Sequence, residues 1–197
     1  MAGRSTSGNR RLGVDDWVQA GFEILAEEGL SSLKLDQLCA RLGVTKGSFY
    51  WHFADMEGYR HALVEAWAQF RDEDRDEIEG LSEVEPRERL ALMMALLARP
   101  RLWKLERAMR EWARSDKTVA AAVLSADRRM VRAVQQEFCD YGFDADEAEM
   151  RANTAFAAGL GLLHMSGSAL KGLFGSALKR QTAAPERNWF LEFLLRE

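Results

Sequence analysis

Cysteine, proline and histidine are scarce in this chain, and a net positive charge is missing. There are two cysteines, Cys39 and Cys139, far apart and without a CxxC spacing, so neither a disulfide framework nor a thiolate metal site is expected. A reducing, cytoplasmic location follows as the default. The three histidines, His52, His61 and His164, form no HExxH or similar ligand spacing, which leaves no metal site to expect. No nucleophile–base pair and no glycine-rich phosphate loop appears, so no catalytic residues, no cofactor and no enzymatic activity are expected. The net charge is -4, which excludes a polybasic protein that coats nucleic acid or anionic lipid. The longest uncharged stretch, from Ala152 to Leu170, carries Asn153, Thr154, His164, two serines and three glycines. It is too polar for a good membrane span. The opening residues MAGRSTSGNRR bring arginines without an apolar run, unlike a secretory signal.

What is present is helical. The chain has 197 residues, 47% of them hydrophobic and 29% charged, enough to build a core. Ala, Leu, Glu and Arg dominate, alternating β-branched runs are missing, and the three prolines (Pro86, Pro100, Pro185) avoid strong helical patterns. An all-α fold of about nine helices is expected. Val14, Trp17, Val18, Gly21, Ile24 and Leu25 make one helical stripe that Gly29 stops. Short helices follow near Leu35–Leu42 and Lys46–Phe53, and Asp55 caps a long fourth helix. Pro86 and Pro100 open two more, Ser115-Asp116 precedes a longer one, and Asp144 with Glu147 forms a capping box for the next. Residues 166–184 are ambiguous, and Pro185 begins a last helix ending WFLEFLL.

The two short helices carry the functional signal. A helix-turn-helix needs a small residue on its first helix, a turn residue tolerant of positive φ, and a cap for its second helix. Cys39, Gly43 and Thr45 fill these roles, while Leu38, Leu42, Val44, Phe49 and Phe53 are spaced to share a core. Between Gln37 and Phe53 there are two bases, Arg41 and Lys46, and no acid, the local balance a DNA-facing surface needs.

Residues 14–67, above all GVTKGSFYWHF from Gly43 to Phe53, resemble the DNA-binding region of TetR-family transcriptional repressors. AGFEILAEEG (Ala20–Gly29) and LDQLCARLG (Leu35–Gly43) resemble the first two helices of that region. The resemblance implies a homodimer that reads a near-palindromic double-stranded operator and is released by a small-molecule effector. It implies a flexible arm over 1–13, a helix-turn-helix domain over 14–56, and a C-terminal helical effector and dimerisation domain over 57–197. By position, Thr45 and Tyr50 match phosphate-contacting residues, and Lys46, Gly47 and Ser48 match positions that approach bases or backbone. Trp51 and His52 match positions near phosphates. Lys34 stands where Ser or Thr usually caps the second helix and adds a possible phosphate contact. Met56 replaces a frequent phosphate-docking Lys, for which Arg4, Arg10 and Arg11 compensate as a minor-groove arm.

In the C-terminal half, Met93, Leu97, Trp103, Met109, Trp112, Phe156 and Leu160 are candidates for an apolar effector wall, with His164 as its polar anchor. A hydrophobic effector is therefore expected. Glu106, Arg107 and Arg110 alternate with that stripe and are expected at the surface or rim. The run from Arg71 to Glu79 holds eight charged residues and is expected to be the solvated end of a helix. The segments Ala152–Leu163 and Trp189–Leu195 are the expected dimer interface.

Overall fold

A computed structural model of the chain describes residues 12–80, 83–97, 100–164 and 189–196. Nine α-helices, one short 3-10 turn and no strand occur among them. In order, these are α1 (Val14–Glu28), the 3-10 turn (Leu30–Ser32), α2 (Leu35–Leu42), α3 (Lys46–Tyr50) and α4 (Met56–Glu79). Then come α5 (Pro86–Leu97), α6 (Pro100–Ala113), α7 (Lys117–Tyr141), α8 (Ala145–His164) and α9 (Trp189–Leu194). Residues 166–184 and Pro185 lie outside the described residues, as do Arg4, Arg10 and Arg11. No described helix is long and apolar enough to cross a membrane.

The contacts divide the chain into two units, Met1–Leu63 and Val64–Glu197. The division falls inside α4, later than the 56/57 boundary expected from sequence. Its first turns belong to the N-terminal unit because Tyr59 and Leu63 are fully buried there against α1. Gly21 makes that approach possible: a Cβ at this position would lie 2.1 Å from the Tyr59 hydroxyl and 2.8 Å from Leu63 Cδ2. Tyr59 donates its hydroxyl proton to the Trp17 carbonyl at 2.8 Å, which satisfies the phenol that the packing takes from water.

The helix ends follow local chemistry. Asp16 accepts a hydrogen bond from the Gly13 amide at 2.8 Å, and the Gly29 amide closes α1 on the Ile24 and Leu25 carbonyls. Asp55 accepts from the Gly58 amide at 2.8 Å and starts α4. Asp116 accepts from the Thr118 and Val119 amides at the head of α7. At α8, Asp144 accepts from the Glu147 amide at 2.9 Å, but Glu147 pairs forward with Arg151 instead of reaching back to complete the box.

In the C-terminal unit α7 is the central element. Its residues Met130, Ala133, Val134 and Phe138 form one core with Leu90 and Met93 of α5, Ala148, Ala152 and Ala155 of α8, and Leu191 and Leu194 of α9. Ala152 and Ala155 are thereby spent inside the subunit. Arg151 sits over the Phe143 ring, its Cζ 3.8 Å from the centroid, and donates to the carbonyls of Leu194 and Arg196, tying down the C-terminal end of α9.

Two sequence expectations about charge are corrected here. Glu106 is buried, only 6% exposed, and accepts from the Trp67 indole at 3.1 Å. Arg110 clasps Asp127 with both guanidinium nitrogens, at 2.7 and 2.8 Å, and only Arg107 of this trio is exposed. The Arg71–Glu79 run is likewise not simply a solvated end. Arg71 reaches toward Glu106 at 3.6 Å, and Asp72 joins Arg75 at 2.9 Å to Arg129 of α7 at 2.8 Å. Charge counted along a helix says nothing about which of its faces another helix covers.

Candidate nucleic-acid interface

The helix-turn-helix is built around Phe49. Its ring is fully buried and meets Trp17 edge-on at 5.4 Å, Tyr59 at 5.6 Å and Phe53 at 5.2 Å. Helix α3 has five residues, too few to persist alone, so this aromatic seat is what holds it. Leu38 is buried with Phe49 and Phe53, whereas Leu42 and Val44 are only half-buried, at the rim of the expected core.

The turn has the form that the spacing predicts. Gly43 sits at φ 66° and ψ 35°, the left-handed region that glycine enters without a Cβ penalty. The Val44 amide donates back to the Cys39 carbonyl at 3.0 Å. Cys39 is buried and reduced, as its small slot requires. Burial, followed by the nearby Asp36 charge, pushes its thiol pKa up, away from reactive thiolate.

Thr45 occupies the N-cap position of α3 with extended backbone, but its hydroxyl makes no cap bond. Lys34, at the corresponding position of α2, makes none either. Both side chains are exposed.

The outward face of α3 carries Lys46, Gly47 and Tyr50, with Ser48 half-buried beside them. Trp51 follows at 87% exposure and Tyr50 stands at 59%, an unusual outlay of aromatic surface to water. His52 is exposed, its ring 6.4 Å from Trp17 and 6.3 Å from Phe53. A Cβ at Gly47 would meet only the Thr45 Oγ1, at an ordinary 3.6 Å. Nothing within the described protein therefore requires glycine there. Thr45, Lys46, Gly47, Ser48, Tyr50, Trp51 and His52 thus share one short helix and its ends.

The acid-free window from Gln37 to Phe53 is not acid-free in space. Lys46 Nζ lies 2.6 Å from Asp36 Oδ1, and this partner holds the ammonium pKa above its usual range. Arg41 turns to α1, where Glu27 at 2.9 Å, Glu28 at 2.8 Å and Glu23 at 3.5 Å surround it. Asp36 is one residue outside the window, so a linear count misses it. The three glutamates share the last turns of a helix already assigned to α1, and their spacing could have pointed to the contact.

The effector candidates are dispersed. Met93 and Phe156 belong to the α5–α7–α8–α9 core, whereas Trp103, Met109 and Trp112 are buried on α6 outside that cluster. Leu160 is half-buried, and the side chain of Leu97 lies outside the described residues. His164 is exposed, because the buried stripe of α8 ends with Leu163 and the next side chain turns away. It does not face the apolar wall. A cavity of about 620 Å³ opens elsewhere in this unit, lined by Arg75, Arg89, Arg129, Arg132, Glu137 and Asp140 among others. Its arginines are heavily engaged. Arg89 binds Glu137 at 2.7 Å and Asp140 at 3.2 Å, while Arg75 and Arg129 share Asp72. Among the described residues no cluster of three or more potential metal ligands occurs.

Comparison with known proteins bears on this geometry. Residues 18–63 match the model of the tetR family of bacterial regulatory proteins. The transcriptional regulator AcuR of Cereibacter sphaeroides is 40% identical over 50 residues, which is 25% of this chain and 23% of AcuR. The chain thus matches under a quarter of that relative's length. Solved structures extend the likeness of fold to nearly the whole chain. A transcriptional regulator from Rhodococcus sp. Rha1 superimposes with a TM-score of 0.71 at 19% identity, covering 93% of this chain and 96% of that one. FadR of Bacillus subtilis, solved in complex with stearoyl-CoA, gives 0.63 at 16% identity, covering 93% and 98%. These are regulators and not enzymes. The glycine turn and the seated short helix thus lie within the residues that match the tetR family model, and the N-terminal unit is similar to that family's helix-turn-helix region.

Proposed function

We propose that this chain is a cytoplasmic transcriptional repressor. It binds a near-palindromic operator as a homodimer and leaves it when a small hydrophobic effector binds the C-terminal unit. One observation carries the DNA reading: α3 turns Phe49 into an aromatic core and offers Lys46, Tyr50 and Trp51 to solvent. A side that does not pack against the protein suits a DNA surface, where Tyr50 meets phosphate and Trp51 lies near it. Thr45 and Lys34, with uncommitted cap positions, serve as phosphate contacts, and His52 joins them from the end of α3. Arg4, Arg10 and Arg11 supply the arm that enters the minor groove.

The test is duplex binding by Lys46→Ala and Tyr50→Phe, with helical circular dichroism as control. If Lys46 meets phosphate in the preferred complex, its loss from both subunits lowers the slope of log affinity against log salt there by about 1.8 and spares sequence preference. If it meets guanine, about 1–3 kcal/mol vanishes at one base position. Unchanged affinity in both variants refutes the placement.

Dimerisation is favoured by apolar surface on the two expected segments and their neighbours. Met150 of α8 and Phe193 of α9 are each 61% exposed in the single chain, and Gly161 faces open space. Of the candidates for an apolar effector lining, Trp103, Met109 and Trp112 of α6 stand apart from Met93 and Phe156, which pack in the α5–α7–α8–α9 core, so the α6 set is the proposed wall, without His164. FadR of Bacillus subtilis, whose fold this chain shares, is described with a long-chain acyl thioester, and a ligand of that apolar character suits such a wall.

A further inference from the structure

The DNA-reading unit holds less available positive charge than its residue count suggests. Between residues 12 and 63, the bases Lys34, Arg41, Lys46 and Arg60 stand against eight acids. Arg41 is enclosed by three glutamates of α1. Lys46, the basic residue of the reading helix, is neutralised by Asp36 from the first turn of α2. That pair is not forced by burial, since the side chains are 59% and 77% exposed. It spans the turn between the two helices on the solvent side, next to the face that presents Tyr50.

We propose that Asp36 is a specificity-determining residue: by holding Lys46, it suppresses sequence-independent binding and makes recognition depend on contacts to the bases. This rests on the DNA-binding reading above. Non-specific affinity is almost wholly electrostatic and comes from counterions released as each cation meets a phosphate. A lysine already paired to a carboxylate must give up that partner first, so its net return is small. The freed Asp36 would then stand unpaired beside the phosphates, a second penalty. At the right sequence, contacts of Gly47 and Ser48 to the bases are added, and these do not depend on counterion release. Removing the carboxylate therefore strengthens binding to any duplex more than binding to the preferred one.

The test uses the full chain, a pool of random duplexes of about 30 base pairs, long enough for two half-sites, and the duplexes that the unaltered chain enriches from that pool. Filter binding is followed between about 50 and 200 mM salt. Asp36→Asn should bind the random pool roughly tenfold tighter, with a salt slope steeper by about 0.9 for each subunit that engages the duplex. Its affinity for the enriched duplexes should change less, so the selectivity ratio falls. Asp36→Ser replaces it if the asparagine variant loses helical signal. In a Lys46→Ala background the gain should largely disappear. An equal gain there would mean that Asp36 acts only as a repelling charge, and the pairing proposal would be wrong. No gain for the random pool would also overturn it. If the unaltered chain binds no duplex and enriches none, the DNA-binding reading itself fails, and this proposal with it.

Discussion

Tyr59 shows how much one side chain settles in the N-terminal unit. It lies under Gly21, packs edge-on against Phe49 and Phe53, and spends its hydroxyl on the Trp17 carbonyl. Burial pushes its phenol pKa well above the ordinary value. The folded state therefore keeps that proton more tightly than the unfolded chain does. The resulting stability is full below the ordinary tyrosine pKa of about 10 and is lost as pH rises beyond it. Tyr59→Phe should lose about 1 kcal/mol near neutral pH with the hydrogen bond, yet decline less steeply in alkali. Urea midpoints of both proteins from about pH 8 to about pH 11 measure the two effects together. Parallel alkaline limbs would show that the buried phenol is not the group responsible. Glu106 is the corresponding residue of the C-terminal unit, a nearly buried carboxylate that serves the Trp67 indole, Arg71 and Arg110. Truncating it to Ala strands the Trp67 indole and takes the carboxylate from Arg71, while Arg110 keeps Asp127, and a loss of about 3 kcal/mol is expected. Thermal unfolding checks this, with Glu106→Gln losing less because it still accepts from Trp67.

At the scale of elements, helix ends and glycine turns were legible in the sequence, and lateral charge contacts were not. Gly29, Gly43 and Gly142 all take positive φ where the chain leaves a helix, and Asp55, Asp116 and Asp144 bind the amides expected of caps. These are local matters that a few neighbouring residues decide. The seat of α3 was legible in part. Phe49 and Phe53 were expected in the core, but Trp17 and Tyr59, which close it, come from helices far away in sequence. The ends of α3 were less legible. The helix stops at Tyr50, short of the expected Phe53, because Trp51 and His52 form a turn before Phe53 re-enters the core. The pairing of Lys46 with Asp36 and of Arg71 with Glu106 depends on which faces meet, and periodicity within one helix carries no record of its partner. The same limit explains His164, whose place on an apolar segment hid its outward direction.

For the whole molecule, the proposed homodimer makes a concentration-dependent claim. Sedimentation velocity at micromolar protein should give a species of twice the chain mass, and Met150→Glu with Phe193→Glu should shift it toward the monomer. Charges placed in an apolar contact oppose association without touching the buried stripe of Ala152, Ala155, Leu191 and Leu194. A monomer at these concentrations that still binds its preferred duplex in full would remove the two-fold reading. The exposure of Trp51 has an optical consequence for such experiments. Trp17, Trp67, Trp103 and Trp112 are all within the protein interior, so among the described tryptophans Trp51 alone meets solvent freely. A collisional quencher such as iodide should extinguish chiefly its emission, the red-shifted part of the spectrum. Duplex DNA laid across α3 should restore that part by shielding the indole, and Trp51→Phe should abolish the restoration. The chain thereby carries its own reporter at the end of the reading helix, one that registers occupancy without any attached dye.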